Sequence, residues 1–253
     1  MLGRIAHKLR TLFYQPSIRI DHAPNVLRLG SKGYGEWAFL DSEALRGSTI
    51  VSVGLGEDAT FDVEFAARYG AKVVMVDPTP RAIAHFRQIQ ARLGQPATMA
   101  YRLGSQPAEA YDLRALDSNS LTLVEKALWI DGKPVKFFQP VNEKHVSHSI
   151  TQHQDTPFIE VPSVTPRFLV EQFGSALLTL WKLDIEGAEI GVLDSMLDDG
   201  ILPDQILVEY DVCVVPSRES KETCEATDRR LRQAGYRCVY VEGRNYSYAR
   251  SHP

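Results

Sequence analysis

The sequence predicts an α/β fold built on a mostly parallel sheet with helices on both faces, and three observations indicate it. In residues 50–77 a β-branched run ends at Gly54-Leu55-Gly56, a helical stretch follows, and a second apolar run stops at Asp77. Parallel strands need a crossover of this kind, and a strand buried on both faces appears as an uninterrupted apolar run. The other two observations are later apolar runs that also end in acids, at Asp184 and at Glu209. Acids at the carboxyl ends of parallel strands meet at one edge of the sheet, where such folds bind ligands.

The first strand–helix junction indicates an adenosine-bearing cofactor. Gly54 and Gly56 allow the backbone to approach a ligand over the helix N-terminus, and Asp77 can accept hydrogen bonds from the two ribose hydroxyls. Glu57 and Asp58 place negative charge where the phosphates of a dinucleotide would lie. S-adenosylmethionine has a sulfonium and an ammonium instead of phosphates, so we expect it as the cofactor. The structural alternatives are that Asp58 only caps the helix and that Glu57 is a solvated loop acid.

Four segments carry a family resemblance: Gly54-Leu55-Gly56-Glu57-Asp58, Val76-Asp77-Pro78-Thr79-Pro80, Lys182-Leu183-Asp184-Ile185-Glu186-Gly187-Ala188-Glu189 and Ile206-Leu207-Val208-Glu209. Together, over about residues 30–241, they resemble the signature of FkbM-type S-adenosylmethionine-dependent methyltransferases. The Asp-x-Glu-Gly-x-Glu element is the most specific part. The resemblance implies a class I methyltransferase fold, which is Rossmann-like with a doubly wound, seven-stranded sheet. It also implies methylation of hydroxyl groups on sugars or natural-product scaffolds, without identifying the acceptor.

Length and composition restrict the remaining possibilities. We expect one domain over residues 1–253, with 1–48 as an N-terminal helix and lid and 49–253 as the Rossmann-like core. The net charge of −4 provides no basic field for a nucleic-acid partner. The three cysteines show no CxxC spacing, which argues against a disulfide framework or a zinc site and favours the cytoplasm. No apolar run reaches the roughly 20 residues of a transmembrane segment.

Two N-terminal segments have distinct patterns. Residues 1–20 are basic and contain no acid, and their apolar residues recur near helical spacing. We expect a helix packed on the domain or on a second copy of the chain, in preference to one in peripheral contact with an anionic membrane. Residues 29–37 interleave three glycines with Tyr34 and Trp37. This composition predicts a lid over the substrate, with an ordinary turn as the alternative.

The middle of the chain supplies further candidate contacts. The implied fold class places the end of the third strand beside the adenine ring, so the main-chain groups of Glu125, Lys126 and Ala127 are candidates to contact the adenine edge. A plain strand end is the alternative. The residues predicted to bind the cofactor are therefore Gly54, Gly56, Glu57, Asp58, Asp77, Pro78, Glu125, Lys126, Ala127 and Asp184.

Residues 129–162 resemble the hairpin insertion of the family, with an Asp131-Gly132 turn between runs that can pair. A polar segment follows the hairpin's first half, over residues 142–149. Its side chains either contact the acceptor or belong to a surface loop. The residues predicted to contact the substrate are Tyr34, Trp37, His145, Ser147 and Glu186.

The chemistry requires alignment and a base. Methyl transfer is an in-line displacement, and a sugar hydroxyl must lose its proton as the bond forms. The candidate bases are Asp184, His148 and Glu209, in that order. Asp184 and Glu186 are two residues apart, so in an extended strand they would point the same way. Asp184 with Glu186 or Glu209 could instead hold a divalent metal ion, which we favour less because no further residue of the sequence evidently completes a ligand cage.

We therefore predict an O-methyltransferase that acts on a small-molecule or glycan acceptor. A non-catalytic subunit that binds S-adenosylmethionine is the alternative. An NAD-dependent oxidoreductase is a weaker one, because the sequence shows no recognisable site for a second nucleotide half.

Overall fold

The computed structural model describes residues 10, 13–138, 158–174 and 178–250. An antiparallel hairpin, β1 (Val26–Leu29) and β2 (Trp37–Leu40), precedes the main sheet. The next elements are β3 (Thr49–Val53), α1 (Thr60–Tyr69), β4 (Lys72–Val76), α2 (Pro80–Gln90) and β5 (Leu121–Val124). The β-α-β unit predicted over residues 50–77 is thus β3-α1-β4.

The second half of the chain adds short strands and then completes the sheet. The short strands are β6 (Ala127–Leu128), β7 (Val135–Phe138), β8 (Phe158–Val161) and β9 (Ser163–Val164). They are followed by α3 (Pro166–Phe173), β10 (Leu180–Leu183), α4 (Glu189–Asp198), β11 (Gln205–Glu209), α5 (Arg218–Gln233), β12 (Tyr236–Glu242) and β13 (Asn245–Arg250). Short 3₁₀ helices lie at Glu43–Leu45, Ala108–Ala110 and Asp211–Cys213.

The main sheet has seven strands in the order β12-β13-β11-β10-β3-β4-β5. The five strands from β11 to β5 are parallel, whereas β13 runs antiparallel to both of its neighbours. The expectation of a mostly parallel sheet therefore holds for those five strands, and the complete sheet is mixed. The physical reason is the tight turn at Gly243-Arg244, because a connection of two residues can join only antiparallel strands.

Both faces of the sheet are covered, as the apolar runs predict. Along β3, Ile50 packs in one hydrophobic cluster, whereas Val51 and Val53 pack in the other. Helices α1 and α2 cover the first face, and α3, α4 and α5 cover the second. Each side chain buried in this way contributes about 1.5–3 kcal/mol by leaving water. The backbone groups of neighbouring strands pair with each other, so the loops at the carboxyl edge and side chains near the strand ends supply the site.

Hydrogen bonds attach the β1-β2 hairpin to the sheet. The Gln205 side chain accepts from the Leu40 amide (2.8 Å) and donates to the Leu40 carbonyl (2.9 Å). The Ser247 hydroxyl donates to the Ala38 carbonyl (2.7 Å). These bonds keep the turn between β1 and β2 at the mouth of the cavity described below.

One sequence-based expectation about the loops needs correction. The strands on either side of the Asp131-Gly132 turn do not pair with each other, because β6 pairs with β9 and β7 pairs with β8. The antiparallel ribbon of β7 and β8 is therefore closed through residues 139–157, which lie outside the described residues. The segment over residues 29–37 contains the turn of the β1-β2 hairpin, where the Ser31 amide and hydroxyl donate to Thr60 (2.7 Å) and Asp58 (2.7 Å) near the start of α1. Its role as a lid over the substrate stays a prediction.

The predicted N-terminal helix lies mostly outside the described residues. None of the described helices has the length and apolar character that a membrane crossing requires.

Candidate active site

A cavity of about 440 Å³ opens at the carboxyl edge of the parallel strands. The loops after β3, β4, β10 and β11 form it, together with the β1-β2 turn and the β6–β7 segment. This volume lies within the usual range for a small-molecule site. The predicted site residues that line it are Gly54, Gly56, Glu57, Asp58, Asp77, Pro78, Ala127, Asp184, Glu186, Glu209, Tyr34 and Trp37.

The glycine loop after β3 packs against the backbone that follows β10, at one wall of the cavity. Gly54 has φ +82°, and a Cβ placed there would lie 1.8 Å from the carbonyl oxygen of Asp184. Only glycine fits this position, because both the left-handed backbone and the close approach exclude a side chain. Gly56 also has a positive φ of +53°, but open space surrounds it. The loop therefore presents bare backbone to the cavity.

Asp77 connects this loop to the start of α2. Its Oδ2 accepts from the Gly56 amide (2.9 Å), and its Oδ1 accepts from the Thr79 amide (2.8 Å) and hydroxyl (2.7 Å). Thr79 in turn caps α2, which Pro80 begins. Oδ2 retains a lone pair for a further donor, such as a ribose hydroxyl.

The two acids after Gly56 have separate structural partners. Asp58 Oδ1 accepts from the Thr60 amide (2.8 Å) at the first residue of α1, whose N-cap position is Ala59, and Asp58 also lines the cavity. Glu57 Oε2 accepts from the Ser105 hydroxyl (3.1 Å), and its other oxygen lies 3.7 Å from Nε of Arg81. Both acids are thus fixed at the cavity wall.

Two of the residues predicted to read the adenine, Glu125 and Lys126, do not line this cavity, whereas Ala127 does. The Lys126 amide donates to the Val124 carbonyl (2.8 Å), and the Ala127 amide donates to the Pro162 carbonyl (2.9 Å). Their role in adenine recognition stays a prediction. His145, Ser147 and His148 lie outside the described residues.

The acids after β10 and β11 converge in three dimensions. β10 ends at Leu183, and Glu186 has a left-handed backbone (φ +53°), so the premise of an extended strand from Asp184 to Glu186 is wrong. The turn nevertheless brings the carboxylates together: Asp184, Glu186 and Asp211 each place one oxygen within 4.8 Å of the others. Of these three, Asp211 was not among the site residues predicted from the sequence.

Burial dominates the acid–base properties of this cluster. It raises the pKa of Asp184, which Lys182 and Arg244 partly counteract. Burial, with the charge of Asp184, raises the pKa of Glu209 to about 7. Burial likewise raises the pKa of Asp211. A carboxylate whose pKa lies nearer neutrality is a better proton acceptor for a hydroxyl than an ordinary one.

Two cations missing from the sequence-based site hold it together. Lys182 is 5% exposed at its side chain, donates to the Gly54 carbonyl (3.0 Å) and lies 5.0 Å from the centroid of the Trp37 ring. Arg244 contacts Glu209 (2.5 Å) and donates to Asp211. The sequence does contain a signal for Lys182: a lysine within the apolar run Leu-Trp-Lys-Leu is expected to be buried, and a buried ammonium needs partners. No local pattern identifies Arg244.

Glu189 supports the turn that carries Asp184 and Glu186. It is the first residue of α4 and fully buried, and its Oε1 accepts from the amides of Ile185 (3.2 Å) and Gly187 (2.9 Å). Burial raises its pKa to about 8. Glu189 therefore supports the backbone of this turn.

Comparisons with known proteins complete the description of the site. The family model described as the Methyltransferase FkbM domain matches residues 44–238. No curated protein matches the sequence.

Solved structures similar to this chain include three methyltransferases. One is the 16S rRNA (adenine(1408)-N(1))-methyltransferase from Catenulisporales acidiphilia, at 14% identity and TM-score 0.36, covering 90% of this chain and 100% of that one. Another is the aminoglycoside resistance methyltransferase NpmB1, at 10% identity and TM-score 0.39, with 89% and 100% covered. A third is the antibiotic-resistance methyltransferase Kmr, at 12% identity and TM-score 0.35, also with 89% and 100% covered. At these scores the likeness carries no argument about the acceptor.

The family match covers most of the chain and includes the glycine loop, Asp77 and the acids after β10 and β11. The chain therefore belongs to the FkbM methyltransferase family, and its cofactor is S-adenosylmethionine.

Proposed function

We propose that this methyltransferase transfers a methyl group to a hydroxyl of a sugar, a glycan or another natural product. The observation that carries the proposal is that one cavity combines the glycine loop and Asp77 with a group of carboxylates at the same sheet edge. The first set suits an adenosine moiety, and the second suits an acceptor whose proton must be removed.

The residues around the glycine loop fit the cofactor. S-adenosylmethionine supplies a methyl group activated by its sulfonium. Gly56 presents bare backbone to open space in the cavity, and Asp77 keeps a lone pair for a ribose hydroxyl. The acids of the wall, Glu57 and Asp58, complement a ligand with positive charge.

Asp184 is the first candidate to receive the proton of the acceptor hydroxyl. It lines the cavity, and its raised pKa favours proton uptake. Tyr34 and Trp37 lie on the wall formed by the β1-β2 turn, where they would exclude water from the reacting groups. Alignment of the acceptor oxygen supplies most of the rate, and the base contributes about 10²–10⁴-fold.

The charge of the cavity disfavours an anionic acceptor and suits one rich in hydroxyl groups. Its wall carries eight carboxylates and two cations: Glu57, Asp58, Asp62, Asp77, Asp184, Glu186, Glu209 and Asp211, with Lys182 and Arg244. A phosphate-bearing acceptor would be repelled, whereas hydroxyl groups can donate to carboxylates. This supports the choice of a sugar-like acceptor over nucleic acid.

Cofactor binding and turnover test this proposal. Calorimetry should show that S-adenosylhomocysteine binds and NAD does not, and a ligand at 100 times its dissociation constant should stabilise the fold by about 2.7 kcal/mol. Methyl transfer from labelled S-adenosylmethionine to a panel of glycosides and hydroxylated natural products should then reveal an acceptor. Preferential binding of NAD would support an oxidoreductase. Cofactor binding without transfer to any hydroxyl would support a non-catalytic subunit.

The role of Asp184 has its own test. Asp184→Asn keeps the shape of the side chain and removes its charge, so single-turnover rates should fall about 10²–10⁴-fold while S-adenosylhomocysteine still binds. Near-normal turnover with a large loss of melting temperature would reduce Asp184 to a structural residue. Loss of cofactor binding alone would assign it to the methionine ammonium.

A further inference from the structure

We propose that Asp184, Glu186 and Asp211 form a binding site for one divalent cation, magnesium or manganese. The proposal rests on the proposed function only for what the cation would do to the acceptor. Binding of the metal itself follows from the geometry of the three side chains.

The arrangement supplies the ligand type that these ions prefer. One oxygen of each carboxylate lies within 4.8 Å of the other two. Asp184 and Glu186 follow β10, and Asp211 follows the neighbouring strand β11, so two loops of a rigid parallel sheet present them. Hard carboxylate oxygens are the ligands that magnesium and manganese prefer.

Asp211 provides a second, separate indication. Its side chain is 9% exposed, and Arg244 donates to Oδ1. Oδ2 is buried, and no hydrogen-bond donor of the described residues reaches it. The carboxyl groups of Asp211 and Glu186 are close enough to share a hydrogen bond when one of them holds a proton. Two carboxyl groups in contact at a buried position are costly unless a proton or a cation lies between them.

The local charge suits a divalent cation. The cluster and the adjacent Glu209 supply four carboxyl groups, and Lys182 and Arg244 supply two positive charges beside them. With all four groups ionised, two negative charges are left, and one divalent cation would neutralise both.

The cation would also define the acceptor more closely. With three protein ligands, the ion keeps coordination positions for other oxygens. An acceptor with two adjacent oxygen atoms, such as a vicinal diol, could occupy them, and coordination would make its hydroxyl more acidic.

Metal titration of the full chain tests the site without cofactor or acceptor. Protein stripped with EDTA and transferred to chelator-free buffer should bind about one equivalent of manganese, measured by loss of the free-ion EPR signal. Glu186→Gln and Asp211→Asn should each weaken binding at least about tenfold. The matched control is Glu43→Gln, because Glu43 is an exposed acid that pairs with Arg46 and does not line the cavity. Its affinity should equal that of the wild type.

Two results would overturn the site: no bound manganese at millimolar concentration, or equal binding by wild type and both cluster variants. The first would leave a shared proton between Asp211 and Glu186. Asp211→Asn loses its pair with Arg244, so a melting curve must show whether this variant folds. If it does not fold, manganese binding by Glu186→Gln alone tests the site. Binding of S-adenosylhomocysteine, measured in parallel, separates the two proposals. If the protein binds S-adenosylhomocysteine but not manganese, only the metal site is wrong. If it binds manganese but not S-adenosylhomocysteine, only the proposed function is wrong.

Discussion

The carboxylate of Asp77 and the ammonium of Lys182 hold the glycine loop from two sides. Asp77 accepts from the Gly56 amide (2.9 Å), and Lys182 donates to the Gly54 carbonyl (3.0 Å). Hydrogen bonds to charged groups contribute about 1.5–3 kcal/mol each, more than neutral ones. A pair of buried charges therefore shapes the part of the cavity that we assign to the cofactor.

Asp77→Asn should weaken S-adenosylhomocysteine binding by about 2–4 kcal/mol, because the amide replaces a charged acceptor with a donor. Calorimetry measures the change. Thr79→Val is the matched control, because it removes one donor to Asp77 (2.7 Å) and leaves the charge. It should cost about 1 kcal/mol of stability through the lost cap, with affinity nearly unchanged. Wild-type affinity in Asp77→Asn would mean that the ribose lies elsewhere.

Among the elements, the loop between β3 and α1 makes the strictest geometric demand. Gly54 and Gly56 both have left-handed backbones, but only Gly54 approaches another main-chain segment, the one at Asp184. The two glycines therefore allow backbone strain to be separated from steric exclusion.

Gly54→Ala should destabilise the fold by about 3–5 kcal/mol, since its Cβ would overlap the Asp184 carbonyl oxygen and the backbone must shift. Gly56→Ala should cost only about 1–2 kcal/mol, the penalty of a left-handed alanine. Urea denaturation of both variants measures the difference. Equal losses would show that the close approach at Gly54 is relieved at little cost.

At the scale of the whole molecule, a buried histidine makes stability depend on pH. His85 of α2 is 5% exposed, and its Nε2 lies 2.8 Å from the Tyr111 hydroxyl, which accepts from the Ala59 amide (3.0 Å). The hydroxyl proton can therefore point to Nε2 of a neutral imidazole. Burial lowers the pKa of His85. This contact joins α2, the segment before β5 and the start of α1.

Because the pKa of His85 is lower in the folded state, the unfolded chain takes up the proton first as the pH falls. The contribution of His85 to stability should be complete above its unfolded pKa of about 6.5 and decrease below it. Urea denaturation at several pH values between 5 and 8 should show this loss in the wild type. The difference in unfolding free energy between wild type and His85→Gln isolates it from the other titrating groups. A difference that does not vary with pH would contradict the assignment.

Local patterns were sufficient to predict much of this protein. Continuous apolar runs and the glycine pair predicted β3-α1-β4, and acids at strand ends predicted where the cavity opens. These signals are readable because strand burial, helix capping and left-handed turns depend on residues close together in the chain. The family expectation, based on the same segments, is confirmed over residues 44–238.

Tertiary structure alone decided which charges meet. Arg244 reaches Glu209 and Asp211 because β13 runs antiparallel to β11, with Asn245 opposite Glu209. The pairing of β7 with β8, instead of across the Asp131-Gly132 turn, is likewise a choice between distant partners. Strand order and register set these contacts, and both result from packing of the complete sheet, so no window of sequence contains them.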